Sequence, residues 1–398
     1  MENRLLITRW QDKILSALYE DRDMIQVHVE SAEGKLPLGS IYVGKVKNIV
    51  KNINAAFVEI DNGTMCYLSL RNKEFPIYAG TLTRQDGRIL TGDEILVQVV
   101  REDLKTKLPS VTCNLNLTGR YTVLTRGKNQ ISISAKITDA DERARLQQIL
   151  CAYQNEEYGF IARTNSKGVP EEIIQQEAEN LRARYEELCK FGIHKTSFSK
   201  VYEEIPGYLK EIRDGYTENI QEIVTDDKTL YEAMQAYLNQ EQSDDIKKLR
   251  FYEDEDYSLK QMYHIEGKLQ KALQPKVWLK SGGSVVIQPT EALVSIDVNT
   301  GKAVTKKKDV EETFYKVNME AAAEIAKQIR LRNLSGIIII DFIDMKDKDR
   351  QKELMKHLKK CLDADPLKAV VVDMTALGLV EITRKKVRKP LYEMLKLK

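Results

Sequence analysis

The chain has 398 residues, 42% hydrophobic and 31% charged, which is enough apolar material for two or three packed domains. A formal net charge of +2 excludes nucleic-acid binding through bulk positive charge, so any such binding must use local groups of Lys and Arg. No apolar run reaches the ~18 residues of a transmembrane helix, and the N-terminus lacks the charged-then-apolar order of a signal peptide, so a cytoplasmic location is expected.

Residues 1–30 predict a β-meander, LLITRW, KILSALY and MIQVHVE, with polar turns between. From Leu38 the texture changes to short Gly-punctuated strands: GSIYVGKVKNIV, AAFVEI, MCYLSL, EILVQVVRE and SVTCNL. Asp61-Asn62-Gly63 between two alternating runs is a hairpin signal. Five or so short strands in succession predict a small closed barrel. YTVLT, ISIS and GFIAR add strands, and Pro170-Glu171-Glu172 opens a long charged amphipathic helix to about Lys190, since proline and acids favour a first turn. Glu241–Lys260 is the most polar stretch and predicts an exposed loop or linker.

In the last third, VWLKSGGSVVI predicts a hairpin around Gly282-Gly283. ALVSID and GIIIID are apolar strands that each end in an aspartate, with FYKVNMEAAAEIAKQIRLRNL between them as a helix rich in Ala, Glu and Lys. A second helix over about Asp347–Asp363 and a strand AVVVD follow. Strand–helix–strand order gives parallel strands through a right-handed crossover.

If the first two of these strands are neighbours, Asp297 and Asp341 emerge at one sheet edge, where open α/β sheets bind ligands. Two adjacent carboxylates repel unless a cation or proton shares them, and Mg²⁺ suits them as an oxygen-seeking ion that keeps several waters. Such an ion activates water and neutralises charge on a phosphodiester. Asn299, two residues beyond Asp297, points to the same face if the strand continues. The plainer reading is that an aspartate after a strand caps the next helix or turn, and Asp344 and Asp373 compete for the same role. Cys66, Cys113, Cys151, Cys189 and Cys361 form no CxxC pair, and the four histidines form no HExxH, so no zinc site is expected.

EALVSIDVNTGKA (291–303) and SGIIIIDFIDMKD (335–347) resemble the paired signatures of the ribonuclease E/G family, with KVWLKSGG (276–283) and GLVEITRKK (378–386) in matching order. The resemblance implies a Mg²⁺-dependent endoribonuclease of RNA processing and decay, with Mn²⁺ as a substitute ion. Asp297 and Asp341 would be metal ligands, assisted by Asn299. It also implies an α/β multidomain fold in five parts. These are an RNase H-like subdomain (1–35 and 209–272), an inserted OB-type barrel (36–114), a 5′-sensor region (115–208) and a DNase I-like catalytic domain (273–398). The family's best-known members continue into a CPxC zinc link and a dimerising domain. This sequence has no such cysteines near its end, so any homo-oligomer is expected to form without a zinc link.

The remaining assignments follow from the same resemblance. The barrel is of the kind named after the first ribosomal protein of the small subunit, which grips single-stranded RNA with aromatics matching Phe57 and Tyr67 and a lysine matching Lys107. Leu108-Pro109 follows that lysine where small residues are expected. Taken alone, Phe57 reads as core, whereas exposed rings would stack bases. GFIARTNSKG (159–168) alone reads as a solvated turn. The family places an Arg-Thr pair there, here Arg163 and Thr164, to sense an RNA 5′-monophosphate, with Lys368 as a nearby basic residue. Faster cutting of 5′-monophosphorylated RNA is therefore expected.

Two basic runs, Arg384–Lys389 and Lys302 with Lys306–Lys308, read either as solvated faces or as RNA contacts. A catalytically silent RNA-binding protein is the alternative function, and a DNase is a further one. No GxxxxGK[ST] motif occurs, so a P-loop enzyme is excluded.

Overall fold

The computed structural model describes residues 2–31, 36–61, 63–71, 75–80, 86–101, 108–215, 220–254, 256–301 and 310–395. The chain divides into two compact units, one built from residues 1–32 and 218–398 and the other from residues 33–217. The first unit opens with the expected antiparallel meander of β1 (Asn3–Trp10), β2 (Lys13–Glu20) and β3 (Asp23–Ser31).

The second unit begins with β4 (Ile41–Val50), β5 (Ala55–Ile60), β6 (Thr64–Ser69), β7 (Glu94–Arg101) and β8 (Ser110–Thr112). These pair in the order β4-β5-β6-β8-β7, and β4 also pairs with β7, which closes a five-stranded barrel. Val46, Val58, Ile60, Cys66, Leu68, Val97 and Val99 belong to its buried core. The Asp61–Gly63 turn joins β5 to β6, with Gly63 at φ 116°, a conformation that costs glycine little.

Next come β9 (Asn116–Thr118), β10 (Thr122–Arg126), β11 (Ser132–Ile133), α1 (Ala140–Cys151), β12 (Tyr158–Ala162) and α2 (Glu171–Gly192). The strands form a sheet in the order β11-β12-β10-β9. Ile174, Ala178, Leu181, Tyr185 and Leu188 recur at helical spacing along α2 and share one core with Leu124 and Phe160 of the sheet. β13 (Lys200–Tyr202) pairs with β4, and α3 (Gly207–Asp214) follows.

The chain then returns to the first unit, where β14 (Ile220–Thr225) pairs parallel with β1. After α4 (Lys228–Glu241), which is capped by Asp227, β15 (Leu249–Phe251) pairs parallel with β14 at the sheet edge. The stretch expected as an exposed loop over Glu241–Lys260 therefore carries a strand. Asp245 within it is buried and ion-paired with Lys248 at 2.7 Å. Its polarity reflects an edge position satisfied by backbone pairing, which a hydropathy pattern does not register. Leu259 of α5 (Leu259–Met262) and Ile265 and Leu269 of α6 (Ile265–Leu273) join the core of this sheet.

The last part holds β16 (Lys276–Trp278), β17 (Ser284–Pro289), β18 (Val294–Asn299), α7 (Val310–Leu331), β19 (Gly336–Asp341), α8 (Lys348–Leu362), β20 (Ala369–Met374), β21 (Leu379–Arg384) and α9 (Leu391–Met394). The hairpin around Gly282-Gly283 is β16–β17, and β18 and β19 are parallel neighbours joined through α7. β20 does not extend that parallel pair, because β21 lies between β19 and β20 and runs antiparallel to both. GLVEITRKK, which is not among the strands expected from the sequence, forms β21, with Val380 and Ile382 alternating into the core. Val317, Ala321, Ile325 and Ile329 of α7 and Leu354 and Leu358 of α8 share one core with Ile296, Ile338, Ile340 and Ile382. The alternate residues of β18 and β19 remain on the other face of the sheet.

Arg384 does not belong to a surface basic run. It is 4% exposed, its Nε donates to Asp365 Oδ2 at 2.7 Å, and its Nη1 donates to Asn333 Oδ1 and the Leu334 carbonyl. The sequence could not show this because its partners lie 19, 51 and 50 residues away. Lys302 and Lys306–Lys308 lie outside the described residues. Among the described residues no helix is long and apolar enough to cross a membrane.

Candidate active site

β18 alternates strictly. Val294, Ile296 and Val298 are buried, while Ser295, Asp297 and Asn299 are exposed. On β19, Ile338 and Ile340 are buried and Asp341 is exposed. The parallel register pairs Asp297 with Asp341, so the two carboxylates rise side by side from one face. Asn299 shares that face and donates from Nδ2 to Asp297 Oδ2 at 2.5 Å. Among the described residues no Lys or Arg forms an ion pair with either aspartate.

The competing aspartates lie outside β18 and β19. Asp344 follows the end of β19 and faces the turn at Gly378, whose added Cβ would lie 3.9 Å from its Oδ1. Asp373 is on β20, separated from β19 by β21, and accepts from its neighbour's Met374 N–H at 2.8 Å. Glu381 of β21, which sequence reasoning did not single out, pairs with Ile339 one row back from Asp341. Among the described residues no three His, Cys, Asp or Glu form a ligand group.

Backbone packing explains the glycines around Asn299. A Cβ on Gly283 would stand 2.9 Å from the Asn299 carbonyl, and one on Gly301 would stand 2.5 Å from the Gly282 carbonyl. Asn318, fully buried in α7, pins the chain beyond Asp341 by donating to the Ile343 carbonyl at 2.8 Å and accepting from the Ile343 N–H at 3.1 Å. In an Ala-rich helix this residue carried no sequence signal beyond its polarity on the apolar stripe.

In the barrel, Phe57 and Tyr67 are register partners on β5 and β6. Both are half-buried, with ring centroids 6.4 Å apart in an edge-to-face arrangement. Phe57 thus stands outside the barrel core. The Tyr67 N–H donates to the Pro109 carbonyl at 2.8 Å, and Leu108 is exposed. Lys107 lies outside the described residues.

Arg163 follows β12 and is half-buried. Its Nη1 donates to the Gly119 carbonyl and to Asp214 Oδ1, each at 2.7 Å. Burial alone would raise the Asp214 carboxyl, but hydrogen bonds and charge from Arg213 and Arg163 hold it below its ordinary value. Thr164 Oγ1 is 2.9 Å from Ser134 Oγ. The loop behind Gly119 is tied down by Glu177, whose carboxylate accepts the N–H groups of Arg120, Tyr121 and Thr122 and the Thr122 hydroxyl. Burial pushes the Glu177 carboxyl up. Lys368 is exposed just before β20, in the first unit, whereas Arg163 and Thr164 belong to the second.

Residues 116–387 match the model of the ribonuclease E/G family. Ribonuclease G of Escherichia coli (strain K12) is 32% identical over 392 residues, which cover 95% of this chain and 78% of that protein. Ribonuclease G of Haemophilus influenzae is 33% identical, with 95% and 78% covered. Ribonuclease E of Synechocystis sp. is 34% identical over 386 residues, covering 94% of this chain and 56% of that protein.

Proposed function

The chain belongs to the ribonuclease E/G family and is an endoribonuclease, and from that premise we propose that it hydrolyses single-stranded RNA with Mg²⁺ held by Asp297 and Asp341. The observation that carries this reading is the in-register pairing of the two aspartates on an exposed sheet face. Two carboxylates with room for water and a substrate phosphate are what Mg²⁺ takes, and they are too few for a closed tetrahedral zinc site. Bound there, the ion supplies Lewis-acid polarisation of the phosphate and lowers the pKa of a water. Asn299 orients the Asp297 carboxylate through Oδ2, and Asn318 fixes the backbone that leaves Asp341. Mn²⁺ is the expected substitute ion.

Phe57 and Tyr67 offer rings that stack bases with little sequence preference, which favours single strands. Arg163 and Thr164 supply a guanidinium and a hydroxyl for an RNA 5′-monophosphate, and Lys107 belongs with Phe57 and Tyr67 to the grip on single-stranded RNA. In this reading residues 1–35 and 209–272 form the RNase H-like part and 36–114 the RNA-binding barrel. Residues 115–208 form the 5′ sensor and 273–398 the DNase I-like catalytic part, in a cytoplasmic enzyme of RNA processing and decay.

The test is cleavage of an A/U-rich, 5′-monophosphorylated single-stranded RNA with Mg²⁺, beside EDTA and Asp297→Asn controls. Cleavage that vanishes in both controls supports the assignment. A well-folded protein that binds this RNA and never cuts it would replace the nuclease with a silent RNA-binding protein.

A further inference from the structure

Trp278 is 66% exposed, although it lies within a β-strand of a well-packed sheet. Its neighbour Val277 packs against the core, so Lys276 and Trp278 project together from the opposite face. The register carries that face across the sheet. Trp278 pairs with Ser284, which pairs with Asn299, and Lys276 pairs with Val286, which pairs with Asp297. The indole and the ammonium therefore stand on the face that bears the two aspartates, two strands from Asp297 and three from Asp341, or about 10 and 14 Å at ordinary strand spacing. Lys276 Nζ lies 4.1 Å from the Trp278 ring centroid, so a cation and a broad π-face are held as one unit.

We propose that Lys276 and Trp278 form an RNA subsite beside the cleavage centre, with a base stacked on the indole and a backbone phosphate drawn to the ammonium. This rests on the reading of Asp297 and Asp341 as the cleavage centre. A ring left in water on a nuclease sheet, paired with a cation and in line with the metal-binding residues, suits one occupant: an unstacked nucleotide of the substrate. Double-stranded RNA cannot present its bases to such a platform.

Trp10 and Trp278 are the two tryptophans in the chain, so Trp10→Phe leaves Trp278 as the single reporter. In an Asp297→Asn background that leaves RNA uncut, the Trp278 emission of this variant should be quenched saturably by a ten-nucleotide single-stranded RNA and not by its duplex. In the active enzyme, Trp278→Ala should raise KM roughly 5- to 100-fold with little change in kcat, and Trp278→Phe should restore most of the loss. Lys276→Met should flatten the salt dependence of binding by about 0.7 in log–log slope.

Unchanged Trp278 emission with excess RNA, or an unchanged KM in Trp278→Ala, would overturn the subsite whether or not the enzyme cuts. Emission that follows protein concentration and ignores RNA would also overturn it, by making the face a protein contact. Quenching in a protein whose wild type never cuts would remove the nuclease reading and leave the subsite standing.

Discussion

Arg163 and Asp214 are joined at 2.7 Å, and Asp214 is gripped in turn by Arg213 at 2.8 and 3.1 Å. The arginine proposed to read an RNA end is thus held in place before any RNA arrives, which limits the conformational entropy lost on binding. Arg163→Ala should equalise kcat/KM on 5′-monophosphate and 5′-hydroxyl substrates. Asp214→Asn keeps the guanidinium but loosens it, and should reduce the preference by about tenfold, the scale of one charge-assisted hydrogen bond. Equal wild-type rates on the two substrates would refute the sensor and leave the nuclease intact.

Asp297→Asn and Asp341→Asn should each lower kcat at least ~100-fold at fixed Mg²⁺, since each removes a charge from the ion's cradle. Asn299→Ala acts only through the orientation of Asp297, and should cost about 10- to 100-fold. The products should carry a 5′-phosphate on the downstream fragment and a 3′-hydroxyl on the upstream one. A 2′,3′-cyclic phosphate in end-group analysis would show that the 2′-hydroxyl attacked.

The buried pair of Arg384 and Asp365 leads to a prediction about stability alone. Arg384→Met removes the buried charge partner of Asp365 and the donors to Asn333 and Leu334, which should destabilise the unit by about 3–5 kcal/mol. Thermal unfolding measures it directly. The double variant Arg384→Met, Asp365→Leu should recover much of the loss. A single variant as stable as wild type would mean that the pair is not closed in solution.

Glu142 ties α1 to the turn after Thr164, accepting from Arg145 at 2.8 Å and from the Gly168 N–H at 2.8 Å. The Arg145 hydrogen bond, with that N–H, holds its carboxyl down at about 2, below the ordinary value of 4.5. A depressed carboxylate stabilises the fold above its unfolded pKa and loses that contribution as pH falls through the folded one. Melting temperature should therefore drop as pH falls from about 4.5 toward about 2, and Glu142→Gln should flatten that part of the profile. Identical acid profiles for the two proteins would count against the contact.

Local chemistry was legible in the sequence. The cap that starts α8 at Asp347 and the proline and acids that start α2 are short-range signals. So is the strand–helix–strand order that makes Asp297 and Asp341 neighbours. What escaped depends on partners distant in sequence. β15, three residues in a polar stretch, is stabilised by a ladder that its own composition does not announce. Glu177, Asp214 and Arg384 look like surface charges until the backbone amides, arginines and buried carboxylate they serve are brought to them. Phe57 stands off the barrel core for a related reason: a period of two says which residues share a face, not which face turns inward.

The first unit is interrupted in sequence, since β1 completes its sheet only with β14, some 200 residues later. At about 5–20 residues per second, a ribosome makes the intervening segment in roughly 10–40 seconds. During that interval β1, β2 and β3 wait as a meander with an open edge at β1, while residues 33–217 already contain a complete barrel and sheet. Nascent chains stalled before Ile220 should therefore resist protease across the barrel and be cut within the first 31 residues, and extension past β15 should protect β1–β3 together with β14 and β15.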